Sequence, residues 1–153
     1  MIGPSLYGTR FLDLFAGSGG IGIEALSRGA ECAYFIDSSK EACDIIEGNL
    51  RFTRLEEKGH VIRSDVRGGI ERLQSLSCQP FSFIFMDPPY GKGLQEDSLR
   101  LLSASALVNG ETVIIFEASL EEDISFPESM GFQILKDKQY KTNRHVWLRK
   151  MDS

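Results

Sequence analysis

Cysteine, histidine and long apolar runs are all scarce in this chain, and each shortage closes off a class of function. The three cysteines (Cys32, Cys43 and Cys78) are odd in number and form no C-x-x-C pair. That excludes a disulfide framework and reads as reduced thiols in a cytoplasmic protein. His60 and His145 are the only histidines, neither falls near a ligand-facing strand end, and both read as structural; no metal site is expected. The apolar stretches stop far short of the roughly 20 residues a membrane span needs. Met1-Ile2-Gly3-Pro4 lacks the basic and apolar regions of a signal peptide. The expectation is a cytoplasmic monomer with neither a membrane nor a metal partner.

Basic charge is scarce too. The net charge is −5, which argues against tight, nonspecific binding to naked duplex nucleic acid. Yet Lys136, Lys138, Lys141, Arg144, Arg149 and Lys150 crowd the C-terminal end against Asp137 alone. Such an end can meet phosphate, or it can be a solvated edge protected from aggregation by lysines. Both readings stand on charge alone.

What the chain does have is alternation. Phe11 to Phe15 reads as a buried strand, followed by a glycine-rich turn and a helix from Ile21 to Arg28. Ala33 to Ile36 reads as a second strand ending at Asp37, and a helix capped by Ser38 or Ser39 runs to about Leu50. A third strand is expected at His60–Arg63, a helix at Ile70–Leu76, and a fourth strand at Phe81–Met86. A helix at about Ser98–Leu107 and a fifth strand at Thr112–Phe116 follow. Phe132–Leu135 and His145–Leu148 flank a polar turn near Thr142-Asn143, and a short turn can join only antiparallel strands. The fold class is therefore α/β: one domain over residues 1–153, Rossmann-like, with a mainly parallel open sheet, helices on both faces and a C-terminal antiparallel hairpin.

The turn after the first strand carries G-x-G-x-x-G as Gly17, Gly19 and Gly22. Glycines there let a ligand approach the backbone without a Cβ clash. Asp37, 20 residues after Gly17, ends the next strand, where an acid can bind ribose hydroxyls. These features alone fit a nicotinamide or flavin enzyme as well as any other nucleotide user. Asp13 favours a different cofactor. A carboxylate two residues before the turn suits the ammonium of an amino-acid cofactor and repels a pyrophosphate. S-adenosylmethionine carries an ammonium and a sulfonium and no phosphate.

Asp87-Pro88-Pro89-Tyr90 closes the fourth strand on the same sheet edge as the glycine turn. Two consecutive prolines remove two donors and stiffen the turn, so carbonyls can face a ligand without competing amides. Such acceptors suit a base amino group, whose nitrogen lone pair is drawn into the ring. If Asp87 and the Pro88 carbonyl each accept an N–H, the nitrogen can turn toward tetrahedral geometry and aim its lone pair at an activated methyl. Tyr90 offers a flat face for an extruded base. Glu117, at the end of the fifth strand, can line the same pocket or act as a cap. Trp147 reads as core.

On these residues the chain resembles class I methyltransferases bearing the D-P-P-Y amino-methylation signature. The block Asp13-Leu14-Phe15-Ala16-Gly17-Ser18-Gly19, with Ile23-Glu24-Ala25-Leu26-Ser27-Arg28, resembles the bacterial 16S ribosomal RNA (guanine-966-N2) methyltransferase family. The resemblance runs from about Phe11 to Arg149. It implies S-adenosylmethionine as cofactor and 16S rRNA or the small ribosomal subunit as partner. Asp13, Phe15 and the Ala16, Gly17, Ser18, Gly19 loop would hold the methionine end, and Asp37 the ribose. Ser38 would neighbour the adenine, with Asp65 and Val66 reading its edge. Asp87, Pro88, Pro89 and Tyr90 would hold the target guanine. The family's basic N-terminal segment, with its R-P-T-type motif that helps bind RNA, has no counterpart in the ten residues before Phe11. Adenine N6 in DNA or another RNA shares the signature, but no DNA target-recognition insert is recognisable. A nicotinamide oxidoreductase leaves Asp13 and the proline turn unexplained.

Overall fold

The computed structural model describes residues 6–76, 79–89 and 93–151. Among these, the strands are β1 (Arg10–Leu14), β2 (Cys32–Asp37), β3 (Gly59–Arg63), β4 (Phe83–Met86), β5 (Val113–Ser119), β6 (Phe132–Gln139) and β7 (Asn143–Lys150). The helices are α1 (Gly20–Ser27), α2 (Lys40–Phe52), α3 (Val66–Ser75), α4 (Leu94–Ser103) and the single turn α5 (Phe126–Ser129). The strands form one sheet in the order β3-β2-β1-β4-β5-β7-β6. β1 to β5 pair in parallel, and β7 enters antiparallel between β5 and β6. The expected parallel sheet with a closing hairpin is what the chain forms.

Alternation along each strand sends side chains to two cores. Leu12, Leu14, Ile36, Ile84, Met86, Ile114 and Phe116 meet Ile70 and Leu73 of α3 and Leu99 and Leu102 of α4. Phe11, Phe35, Phe85 and Ile115 meet Ala25 and Leu26 of α1 and Ile46 and Leu50 of α2. Asp13 shares the odd-numbered face of β1 with Phe11, so its carboxylate points toward α1 and not toward the larger core. Gly22 lets α1 lie close against the sheet, because a Cβ there would overlap the Phe35 ring.

Chain order reverses between β1 and β4. Neighbouring crossovers leave in opposite directions there, opening a crevice at the carboxyl ends of the strands. β7 runs the other way, so its first residues, not its last, reach that same edge. This follows from antiparallel pairing and matters for the site.

Several boundaries differ from expectation. α3 starts at Val66 rather than Ile70, because Asp65 caps it by accepting the Gly68 N–H at 2.8 Å. A Cβ at Gly69 would press on Ile36, so the glycine sets the helix-to-sheet distance. α4 begins at Leu94 instead of Ser98, from Gly93 in the left-handed region at φ 66°. β4 is shorter than expected, since Phe81 leaves the ladder while its ring stays buried edge-on to Tyr34. β5 continues to Ser119, so Glu117 lies inside the strand and not at its end. Both hairpin strands are longer than expected, with the turn at 140–142. Among the described residues no helix is long and apolar enough to cross a membrane.

Candidate active site

The loop after β1 is built on backbone conformations that few residues tolerate. Phe15 takes φ 58° and is, among the described residues, the one site residue with a side chain to do so, while Gly17 and Gly19 have φ 61° and 79°. A left-handed phenylalanine costs about 1–3 kcal/mol and persists only where its surroundings impose it. Here the Ala16 N–H donates to the Ile36 carbonyl at 3.1 Å, and the Gly19 N–H returns to the Ala16 carbonyl at 2.8 Å. The loop is tied to β2 on one side and closed on itself on the other.

Asp37 clamps this loop from the end of β2. One carboxylate oxygen accepts the Gly17 N–H and the other the Ser39 N–H, each at 2.9 Å. Asp13 holds the loop from below, accepting the Gly22 N–H at 3.3 Å. It is buried, 2% exposed, and lines neither cavity described below. Burial pushes its carboxyl well above the ordinary range, the Gly22 N–H works the other way, and the charges of Asp87 and Asp37 add to the rise. The expected direct reach from Asp13 to a ligand ammonium is therefore not what the geometry provides. Asp13 braces the first turn of α1, where a phosphate-binding helix would keep its amides open.

Two cavities open at the crevice. The first, of about 480 Å³, is lined by Phe15, Ile36, Asp37, Ser38, Ser64, Asp65, Val66, Leu94, Ser98 and Leu101, with Arg67, Asp97 and Arg100 also on its wall. Phe15, Ile36, Val66 and Leu101 make an apolar slot, while Asp37, Asp65 and Ser38 supply polar groups at its ends. That donor set fits an adenosine: apolar walls for a flat ring and a strand-end carboxylate for a diol. The second cavity, of about 470 Å³, is lined by Phe15, Asp37, Ser38, Asp87, Pro88, Pro89 and Glu117. Phe15, Asp37 and Ser38 are common to both. At these three residues the cavity beside β2 and α3 adjoins the one at the proline turn.

The expected residues Phe15, Asp37, Ser38, Asp65, Val66, Asp87, Pro88 and Pro89 thus come together around that crevice. Ala16, Gly17, Ser18 and Gly19 form its backbone rim without lining either cavity, Ser18 being held by Asn49 Nδ2 on its carbonyl at 3.0 Å. Tyr90 lies outside the described residues, as does Cys78. Leu94, Ser98 and Leu101 were not foreseen: Leu94 lies before the expected start of α4, and only the packed helix shows that Ser98 and Leu101 face the cavity.

Asp87 and Glu117 form a carboxyl pair. Burial of the Asp87 carboxyl at the cavity wall, then a hydrogen bond with Glu117 and its negative charge, lift Asp87 to about 7. Glu117 Oε1 in turn accepts Asn143 Nδ2 at 3.2 Å and meets His145 Nε2 at 3.1 Å. The His145 ring packs edge-on against Phe85 and Tyr140. His145 is therefore not the remote structural histidine that the sequence suggested. The start of β7 reaches the carboxyl edge of β5 only because the strands pair antiparallel, with Glu117 opposite His145. No sequence signal announces that register. His60 does lie away from the site, stacked on Tyr34, and Trp147 packs against the α1-side core with Lys136 over its ring.

With this geometry in place, likeness to known proteins becomes informative. Residues 1–149 match the family described as "Conserved hypothetical protein 95". The chain belongs to this family. A relative from Bacillus subtilis named "Putative rRNA methyltransferase YlbH" is 34% identical over 139 residues, 91% of this chain and 74% of that protein. The "Ribosomal RNA small subunit methyltransferase D" of Haemophilus influenzae is 30% identical over 137 residues, 88% of this chain and 68% of that one. A solved structure from Streptococcus pyogenes, described as a conserved hypothetical protein, superposes with a TM-score of 0.82 at 30% identity, covering 98% of this chain and 91% of its own. The family's fold is that of the class I methyltransferases, and this chain has it.

Proposed function

We propose that this chain transfers a methyl group from S-adenosylmethionine to the exocyclic N2 amine of a guanine in small-subunit ribosomal RNA, working in the cytoplasm. The observation that carries the reading is the shared crevice, in which Phe15, Asp37 and Ser38 join the adenosine-sized cavity to Asp87, Pro88 and Pro89. Relatives named as rRNA methyltransferases support the substrate class. A nicotinamide enzyme fits less well, because Asp13 already occupies the Gly22 amide at the start of α1.

When bound, the cofactor supplies a methyl already activated by its sulfonium. On this reading Asp37 holds the ribose hydroxyls, while Phe15, Ile36 and Val66 enclose the adenine, with Asp65 at its edge. Asp87 and the Pro88 carbonyl accept the two amine hydrogens and so turn the nitrogen lone pair out of the base plane. In-line placement then supplies most of the rate. The C–N bond would form as the S–CH₃ bond breaks and the sulfur leaves as a neutral thioether, and the Asp87–Glu117 pair is positioned to receive the proton the amine gives up.

Methyl transfer from labelled S-adenosylmethionine to small subunits lacking their methylations is the decisive assay, with the product base identified by mass. N2-methylguanine at one position is expected; label in adenine, or in DNA alone, would overturn the reading.

A pH dependence follows. Asp87 accepts N–H groups fully only when ionised, and its carboxyl is raised to about 7. Because the value is raised, the protonated fraction grows as pH falls through neutrality. Single-turnover rates are expected to rise about tenfold per pH unit below about 7 and to level off above it. A flat profile from pH 5.5 to 9 would contradict the acceptor role.

A further inference from the structure

The crevice holds a second carboxylate beyond the proline turn, and its neighbours fix what it can recognise. Glu117 lines the same cavity as Asp87, and the two carboxyls are close enough to share a hydrogen bond. One Glu117 oxygen, Oε1, takes the Asn143 amide N–H at 3.2 Å and faces His145 Nε2 at 3.1 Å. The Nδ1 atom of His145 is buried and has no partner among the described residues. A proton on Nδ1 would be left unsatisfied there, so the stable tautomer carries its hydrogen on Nε2 and donates it to Glu117. Two N–H donors thus converge on one Glu117 oxygen, which serves both as acceptor. Within the pair Glu117 is therefore the acceptor, and the raised Asp87 carboxyl donates to it.

We infer that Glu117 selects guanine over adenine by accepting the N1–H of the target base, with Asn143 and His145 as the positioning residues that hold it as an acceptor. This rests on the proposed amino-methyltransferase reading and goes further, because Asp87 and the prolines alone serve any base amine. Guanine presents N1–H beside its N2 amine, so two adjacent donors meet two adjacent carboxyls and replace the proton that joins them. Adenine presents a lone pair at N1 beside its amine. Against the Glu117 oxygen that lone pair meets another acceptor, and no hydrogen bond forms. Sites built to receive an N–H reject analogues lacking it far more strongly than apolar pockets reject a change of size.

The test uses small-subunit RNA carrying, at the position mapped by the assay above, either guanine or 2,6-diaminopurine. The second base keeps the C2 amine but has a lone pair at N1. Wild-type protein is expected to methylate the diaminopurine RNA at least about 100-fold more slowly than the guanine RNA. In Glu117→Gln, the Asn143 and His145 donors should hold the amide oxygen and turn its NH₂ into the crevice. That variant is expected to lose about 100-fold on guanine and to gain on diaminopurine, with S-adenosylhomocysteine affinity unchanged within about threefold. Equal wild-type rates on the two RNAs overturn the inference, and that comparison needs no variant to fold. An equal loss on both RNAs in Glu117→Gln overturns it as well. If wild-type protein leaves the guanine RNA unmethylated, the proposed function itself fails, and the inference goes with it.

Discussion

Asp87→Ala is expected to lower single-turnover methyl transfer by at least about 10³-fold while changing S-adenosylhomocysteine affinity by less than about threefold. The reasoning starts from where Asp87 sits. It lines the cavity shared with Pro88, Pro89 and Glu117, but not the adenosine-sized cavity beside it. On the proposed reading, alanine removes the acceptor that pulls one amine hydrogen aside, so the lone pair returns toward the ring and in-line geometry is lost. Losses of that size are what removal of one preorganised polar contact to a transition state produces. A cofactor site built from Phe15, Asp37, Asp65 and Val66 is left intact. Parallel loss of catalysis and cofactor binding, read by calorimetry on the same preparation, would show that Asp87 supports the fold of the crevice instead.

Asp37→Ala should have the opposite signature, with cofactor affinity falling by about 10- to 100-fold. Asp37 takes the Gly17 and Ser39 amides on separate oxygens. It thereby couples the glycine loop to the turn that starts α2. Two charge-assisted bonds disappear with the carboxylate, and so does the group offered to the ribose. Each such bond is worth about 1.5–3 kcal/mol, but the exposed loop can rehydrate, so the lower half of the range is the better expectation. Asp37→Asn should recover part of the loss, because its amide oxygen can still accept one N–H. Titration with S-adenosylhomocysteine measures both variants. Wild-type affinity in Asp37→Ala would remove the residue from the cofactor site.

These two carboxylates were legible in the sequence for a local reason. Asp37 closes an apolar run, and Asp87 is locked to two prolines, so each sits at a strand end wherever that strand goes. Parallel sheets bring strand ends of one sense to one edge, and the order of motifs along the chain then implies a common crevice. Asp13 was legible as a residue of interest but not in its role. Strand alternation turns it toward α1, and only the packed helix shows that its partner is the Gly22 amide. The start of α4 was missed because Gly93 was not recognised as a left-handed cap, which hid Leu94, while the face that Ser98 and Leu101 present is settled only by packing. Glycine in a loop carries no mark of the conformation it will adopt.

Read without coordinates, the chain already determines its alternating α/β order, its glycine turn and its proline corner, because each arises from contacts between residues near one another in sequence. Tertiary structure alone decides that Glu117 meets His145, 28 residues further on. That meeting needs β7 to insert antiparallel beside β5 in one register, and register is settled by packing across the sheet, where a shift of one residue would send His145 to the other face.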